Sequence, residues 1–204
     1  MVRSFSGQPP KPGAVEAVLA AARRAPGAGN TDGWDVVVLE GAEQTAAFWE
    51  ATTTAEWRGR SRRWPGLSRA PVVLCVFADP GAYLDRYGEP DKAESGLGPR
   101  GEAVGPRDEA TGGGAETWPV PFWFVDSGFA VLLMLLAVVE TGMGACFLGN
   151  FRGEAELIGA LGVPAGRVYI GAVLLGEPGG EDPASASLSR SRREDSEVFH
   201  RGRW

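Results

Sequence analysis

The chain has 204 residues, of which 44% are hydrophobic and 23% are charged; this balance is typical of a soluble globular domain. A net charge of -6 disfavours a nucleic-acid partner, because phosphate binding needs a basic field. One histidine cannot build a metal site alone, and two cysteines are too few for a disulfide framework. We therefore expect no bound metal and two buried free thiols.

The first part of the chain alternates between predicted helices and strands. Residues 14–25 place apolar side chains on one face at helical spacing, and Pro26 and Gly27 end that helix. Residues 35–40 (DVVVLE) are a short β-branched run that predicts a strand. Residues 43–57 favour a helix. Its aromatic residues are candidates for packing: Phe48, Trp49 and Trp57.

Two further strands follow the same pattern. Residues 71–78 (PVVLCVFA) form a continuous apolar run, as expected for a strand that is buried on both faces. A short helix is predicted over residues 154–161, and the last strong strand over residues 167–175 (RVYIGAVLL). Helices interleaved with strands predict a single α+β or α/β domain over residues 1–204.

A long and almost wholly apolar helix is predicted near residues 123–141. Apolarity all round a helix demands burial on all sides, so we expect this helix at the centre of the fold or along a dimer interface. Asp126 interrupts the apolar run and glycines follow it, which favours a buried helix over a membrane span. The N-terminus lacks the layout of a signal peptide. We therefore expect a cytoplasmic protein with no membrane partner.

Residues 80–119 differ in character from the rest, because they are polar, rich in glycine and carry charges of both signs. A long irregular insertion in a compact domain is usually either disordered or a functional lid, and the sequence leaves both open. As a lid, the insertion would place aromatic rings over a small planar organic substrate. The candidate substrate-binding residues are Tyr83, Tyr87, Trp118 and Trp123.

Common catalytic motifs such as GxSxG, HExxH and the P-loop are absent from the sequence. Residues 142–149 (GMGACFLG) follow a helix instead of opening one, which excludes a Rossmann fingerprint. Their glycines would let a loop approach a flat ligand closely, although a plain helix stop explains them equally well. Arginines occur at both ends of the chain, at Arg3 and at Arg190, Arg192 and Arg193. They are either phosphate ligands or solvated tails.

Several segments match a known family in order and spacing. They are VRSF (residues 2–5), AARRAPGAGNTDGW (21–34), PVVLCVFAD (71–79), VDSGFAVLLMLLAVVETGMGACFLGNF (125–151), LGVPAGRVYIGAVLLGEP (161–178) and RREDSEVFHRGRW (192–204). They resemble patterns of the nitroreductase family of FMN proteins, which include RRSxRxF, APSxxNxQPW and a long central helix that ends in GLG. The resemblance spans nearly the whole chain outside residues 80–119.

The resemblance implies an α+β fold with a mixed sheet flanked by helices, in an entwined homodimer with a long central interface helix. It implies one FMN in each of two interface sites. NAD(P)H would reduce the FMN, and a nitroaromatic, a quinone or a similar planar molecule would reoxidise it. The cofactor-binding residues that it implies are Arg3, Pro26, Gly27, Ala28, Asn30, Arg62, Phe147, Leu148, Gly149, Arg190 and Arg192.

The resemblance also assigns roles within this set. Arg190 and Arg192 match the basic pair that reaches the FMN phosphate, and Arg3 matches a basic residue near the flavin. Residues 26–30 match a loop that packs on the flavin from the partner subunit. The backbone N–H of Gly149 would point at flavin N5, so the flavin carries the chemistry and no side chain need act as a general acid.

Three departures from the family pattern modify this expectation. The sequence starts at MVRSF, without the preceding Arg-Arg-Ser. Either the true start of the protein lies upstream, or the phosphate contact relies more on the C-terminal arginines. Gly27 stands in place of the usual serine, and residues 32–33 (DG) replace Gln-Pro. Two alternatives therefore stay open. One is an FMN-dependent dehydrogenase or oxidase of a biosynthetic pathway, and the other is a non-catalytic flavin-binding protein.

Overall fold

The computed structural model describes residues 1–60, 64, 66–98, 118–150, 152–180 and 184–204. These residues form six α-helices and four strands. The helices are α1 (Ala14–Ala22), α2 (Gly41–Thr52), α3 (Ala55–Arg60), α4 (Pro80–Tyr87), α5 (Phe122–Glu140) and α6 (Glu154–Leu161). The strands are β1 (Trp34–Glu40), β2 (Val72–Ala78), β3 (Gly144–Leu148) and β4 (Val168–Gly176). The predicted α+β class is confirmed.

The four strands form one sheet in the order β1-β2-β4-β3. Every pairing among them is antiparallel, so the expectation of a mixed sheet is wrong for the described residues. Strand β2 lies between β1 and β4, and all seven of its residues are buried. This confirms the prediction of a strand that is covered on both faces. The pairing is nevertheless antiparallel, and helices cover both faces of this sheet.

Alternate residues of β2 pack into two different cores, as the two-residue period of a strand requires. Val72, Leu74 and Val76 contact α1 and α5 on one face of the sheet. On the other face, Val73, Cys75 and Phe77 share a core with Phe48, Trp49 and Leu157 of α2 and α6. Cys75 and Cys146 are both buried thiols that form no disulfide, as predicted.

Helix α5 packs on the sheet with one side only. Its buried side includes Ala130, Met134 and Val138. Its other side exposes five large apolar residues, and these are Phe124, Phe129, Leu132, Leu136 and Val139. In the part of the chain that the structure describes, α5 is the one helix long and apolar enough to cross a membrane, and 39% of its most apolar window is buried inside the fold. Burial on all sides is therefore not achieved within the single chain.

Four boundaries differ from the sequence-based predictions. Helix α1 ends at Ala22, before the stop that was predicted at Pro26 and Gly27. The helix expected over residues 43–57 is two helices, because the backbone is extended at Thr53. Residues 144–148, expected as a loop, form strand β3 against β4. The segment expected to be irregular from residue 80 begins with helix α4, where Pro80 occupies the first turn and the side chain of Asp79 accepts from Ala82 N–H. Residues 99–117 of that segment lie outside the described residues.

Candidate functional site

A cavity of about 480 Å³ lies beside the C-terminal end of β3 and the connection between α2 and α3. This volume is within the range of small-molecule sites, which are roughly 300–1,000 Å³. Its described lining residues are Arg3, Trp49, Thr52, Thr53, Thr54, Trp57, Trp64, Leu67, Cys146, Phe147, Leu148, Gly149, Asn150 and Arg152. The lining combines aromatic rings, hydroxyls and two arginines, which suits a flat ligand with an anionic group.

Indole rings form one wall of the cavity. The rings of Trp49 and Trp57 are nearly parallel, with an interplanar angle of 18° and centroids 6.3 Å apart. Arg58 of α3 fixes the connection between the two helices, because its guanidinium donates to the Trp49 carbonyl at 2.8 Å and to Thr53 Oγ1 at 2.9 Å. Broad, rigid aromatic surfaces of this kind favour planar ligands.

Two buried donors at this cavity have no hydrogen-bond acceptor among the described residues. They are Trp49 Nε1 and Asn150 Nδ2. An unsatisfied buried donor costs about 1–3 kcal/mol, and a ligand with acceptor atoms would recover that free energy. The two donors are therefore candidate contacts for a polar ligand.

The N-terminal segment brings Arg3 to this cavity. The Val2 N–H donates to the Ala145 carbonyl of β3 at 2.8 Å, and the Phe5 N–H donates to the Gly66 carbonyl at 3.1 Å. Arg3, between these two contacts, is thus held against the residues that follow Ala145. At the end of β3, a Cβ on Gly149 would meet no atom within 4 Å, so this residue leaves open space beside the cavity.

The structure brings four of the predicted cofactor-binding residues together. Arg3, Phe147, Leu148 and Gly149 all line this cavity. Arg190 and Arg192 are exposed on the C-terminal segment and are not among the described lining residues. Their phosphate role stays a prediction. Arg62 lies outside the described residues.

The predicted loop residues Pro26, Gly27, Ala28 and Asn30 lie elsewhere. Pro26, Gly27 and Asn30 border a recess of about 10 Å³ with Tyr83 and Asp126, whereas Ala28 packs against the aromatic cluster described below. The resemblance assigns this loop to the flavin of the partner subunit, and that role stays a prediction.

The four predicted substrate-binding residues form one aromatic cluster. Tyr83, Trp118 and Trp123 are buried, with 0%, 6% and 5% of their surface exposed, and their rings meet edge to face. Tyr87 is half-buried and contacts Trp118 at a centroid distance of 4.6 Å. Within the single chain these rings contact each other, and their contact with substrate stays a prediction.

Sequence reasoning missed several of the cavity's residues. Trp49 and Trp57 were expected only as packing residues, and Asn150 and Arg152 carried no expectation. Asn150 and Arg152 directly follow the Gly149 motif in the sequence, which is the signal that could have found them. Nothing in the sequence separates a tryptophan that lines a cavity from one that fills a core.

Comparisons with known proteins agree with this architecture. The model of the Nitroreductase family matches residues 1–97. NfrA2 of B. megaterium is 18% identical with a TM-score of 0.66, over 100% of this chain and 70% of that one. A nitroreductase family protein from Clostridium difficile is 16% identical with a TM-score of 0.65, over 100% and 93% of the two chains.

An FMN-dependent nitroreductase from the same species is 15% identical with a TM-score of 0.61, over 100% of this chain and 94% of that one. At identities this low, the structural similarity establishes the fold alone. No curated protein matches the sequence significantly. With the family match over residues 1–97, the resemblance to the nitroreductase family is confirmed.

Proposed function

We propose that this relative of the nitroreductase family is a flavin oxidoreductase that holds FMN in the cavity beside Gly149. One observation carries the proposal. Arg3, Phe147, Leu148 and Gly149 were assigned to the flavin by sequence motifs from opposite parts of the chain, and they line one cavity in the fold. Their convergence supports a common ligand.

The chemistry of the cavity fits FMN. Its aromatic wall suits a flat ring system, and the orphaned donors Trp49 Nε1 and Asn150 Nδ2 suit ring atoms that accept hydrogen bonds. Arg3 and Arg152 supply positive charge, which stabilises a phosphate or an anionic ring. When bound, FMN supplies a ring that accepts and returns two electrons. The residues supply position, charge and exclusion of water.

We further propose that NAD(P)H is the reductant and that the acceptor is a nitroaromatic, a quinone or a similar planar molecule. The parallel indoles of Trp49 and Trp57 support a planar molecule. The described lining holds no aspartate, glutamate or histidine, which is consistent with chemistry that needs no side-chain acid. The choice of reductant rests on the family resemblance.

A homodimer is part of the same proposal. Among the described residues, two apolar surfaces stay largely exposed in the single chain. One is the outward side of α5. The other is the C-terminal segment, where Leu188, Phe199 and Trp204 are 77%, 70% and 96% exposed. Surfaces of this kind mark protein interfaces, and a second copy would cover both. Residues 26–30 of the second copy would then complete the cofactor site.

The decisive experiment is an absorbance spectrum of the purified protein after incubation with FMN and gel filtration, before and after anaerobic NADPH. We expect a bound flavin whose visible absorbance bleaches on reduction. A protein that retains no flavin overturns the proposal, and a flavin that NADPH does not bleach overturns the proposed reductant.

A pair of glycine variants locates the site. Gly149→Leu places a side chain beside the cavity and should abolish FMN retention. Gly159→Leu is the control. A Cβ on Gly159 also meets no atom within 4 Å, but Gly159 is an exposed residue of α6. Equal FMN retention in the two variants would place the flavin elsewhere.

A further inference from the structure

Helix α5 carries one buried carboxylate in its apolar run. Asp126 is 3% exposed, and its Oδ2 accepts from the backbone N–H of Ala28 at 2.7 Å and from the Tyr83 hydroxyl at 2.8 Å. Burying a charged group is costly unless it is well hydrogen-bonded. This carboxylate therefore joins three separate segments, which are α5, α4 and the loop that contains Ala28.

That loop has an unusual backbone. Gly29, Asn30 and Asp32 all have left-handed φ angles, of 65°, 55° and 55°. Asparagine and aspartate adopt this backbone more readily than other residues that carry a side chain. The sequence of the loop therefore permits this turn, and contacts with other segments fix where the turn lies.

Helix α4 supplies further contacts to the loop. Arg86 Nε donates to the Gly29 carbonyl at 2.9 Å, while its guanidinium also pairs with Asp91 at 2.7 Å. A Cβ on Gly29 would lie 2.9 Å from the Tyr87 ring, and one on Gly33 would overlap the Tyr83 ring. The loop is thus pressed against α4 along its length.

Gly27 lies against the same carboxylate. A Cβ on Gly27 would lie 3.3 Å from Asp126 Oδ2, which is tighter than ordinary van der Waals contact. The glycine therefore lets the loop approach Asp126 closely.

We propose that Asp126 is a positioning residue, which holds residues 27–32 in the conformation that binds the cofactor and couples that loop to α4 through Tyr83. The proposal rests on the proposed function, since the loop's contact with FMN comes from there. Asp126 itself acts through the Ala28 N–H and the Tyr83 hydroxyl and does not contact the reacting atoms.

Four variants test this inference. Asp126→Leu removes the acceptor while keeping similar bulk, and Asp126→Asn keeps one oxygen that can accept from both partners. Tyr83→Phe removes one of the two donors. Ser127→Ala is the matched control, because Ser127 is the adjacent buried residue and its Oγ bonds only to the Trp123 carbonyl of the same helix, at 2.6 Å.

The first readout is hydrogen exchange of residues 25–34 in the FMN-free protein, and the second is the Kd for FMN from quenching of its fluorescence. For Asp126→Leu we expect faster exchange in this segment and a Kd weakened about tenfold or more. Tyr83→Phe should show a smaller change in the same direction. Asp126→Asn should restore both values to near wild type, and Ser127→Ala should leave both unchanged.

Two outcomes overturn the inference. One is exchange of residues 25–34 in Asp126→Leu and Tyr83→Phe that equals the exchange in Ser127→Ala. The other is a loosened loop with an unchanged Kd for FMN. A wild-type protein that does not bind FMN would instead overturn the proposed function. The exchange comparison would still decide whether Asp126 holds the loop.

Discussion

At the scale of single residues, buried hydroxyls and thiols link the interior of the protein to the pH of the solvent. Burial, followed by the hydrogen bond to Asp126, raises the pKa of Tyr83 above its ordinary value of 10. Burial also raises the pKa of Tyr169 and raises that of Cys75 to about 12. All three groups keep their protons in the folded chain at pH values where the unfolded chain releases them.

We therefore predict that the protein loses stability in alkali. Above pH 10, the ordinary pKa of a tyrosine, the unfolded chain binds fewer protons than the folded chain, so the free energy of unfolding falls as pH rises. Each tyrosine with a raised pKa contributes a loss of up to about 1.4 kcal/mol per pH unit. Urea unfolding at pH values on both sides of 10 measures this loss.

The variant Tyr83→Phe isolates one of these groups. Its free energy of unfolding should decline less steeply above pH 10 than that of the wild type, because Tyr169 and Cys75 contribute equally in both. Tyr87→Phe, which removes a tyrosine hydroxyl from the same helix, is the comparison for a change of packing. If all three proteins lose stability in parallel, Tyr83 is ionised without unfolding and the prediction fails.

The arginines give a second prediction at this scale. We predict that replacing both Arg190 and Arg192 by alanine weakens FMN binding by about 3 kcal/mol or more, since charge-assisted hydrogen bonds contribute roughly 1.5–3 kcal/mol each. Arg3→Ala should cause a smaller loss. Titration of FMN fluorescence measures the Kd of each variant.

Arg152→Ala is the informative comparison, because Arg152 lines the cavity in the same chain. The double variant should bind FMN more weakly than Arg152→Ala does. Unchanged affinity in the double variant, together with loss in Arg152→Ala, would place the phosphate inside the cavity of one chain.

At the scale of elements, helix α6 is bounded by two glycines in similar conformations but different surroundings. Gly153 at its N-terminus has φ 74° and Gly162 at its C-terminus has φ 62°. A Cβ on Gly153 would overlap the carbonyl oxygen of Ala51 in α2, whereas one on Gly162 would meet no atom within 4 Å. Only the first glycine is needed for the packing of two helices.

We predict that Gly162→Ala lowers the free energy of unfolding by about 1–2 kcal/mol, the cost of left-handed backbone. Gly153→Ala should lower it by about 2–5 kcal/mol, because overpacking adds to the same backbone cost. Urea denaturation of both variants measures the difference. Equal losses would mean that α2 and α6 can separate slightly without cost.

The elements also differ in how far sequence alone predicted them. Strand β2 was predicted to within one residue, because a short continuous apolar run rich in β-branched residues is typical of a strand that is buried on both faces. Strand β3 was missed. Its five residues (GACFL) are held by the register with β4, and that pairing joins segments that one sequence cannot show to be adjacent.

At the scale of the whole molecule, the apolar outward side of α5 predicts self-association. We expect the wild type to be a dimer and Leu136→Glu to be a monomer. Leu136 is 55% exposed in the single chain, so a glutamate there is tolerated by the fold but not by an apolar interface. Sedimentation velocity at micromolar concentration measures both masses.

Ala160→Glu is the control, because it places the same charge at an exposed position of α6. This variant should remain dimeric. A monomeric wild type would contradict the prediction, as would a Leu136→Glu variant that still associates. Either result would also remove the support for a cofactor site that two copies share.

The candidate site was predictable only in part, for a physical reason. The family motifs include glycine turns and arginines. From these motifs Arg3 and Gly149 were predicted as site residues. The positions of the Trp49 and Trp57 indoles depend on contacts between distant segments, and so does the hydrogen bond from the Ala28 N–H to Asp126. Those contacts follow from packing, which a single sequence does not record.

The anchoring of the N-terminus has a consequence for folding. The cavity needs Arg3, Trp49 and Gly149 from three distant parts of the chain, and the partners of the first residues, Ala145 and Pro178, lie far along the sequence. Closing such long loops is slow and comes before the contacts can stabilise anything. The cavity is therefore complete only when the whole fold is complete. A ligand at a hundredfold excess over its Kd would then protect the entire molecule from unfolding by about 2.7 kcal/mol.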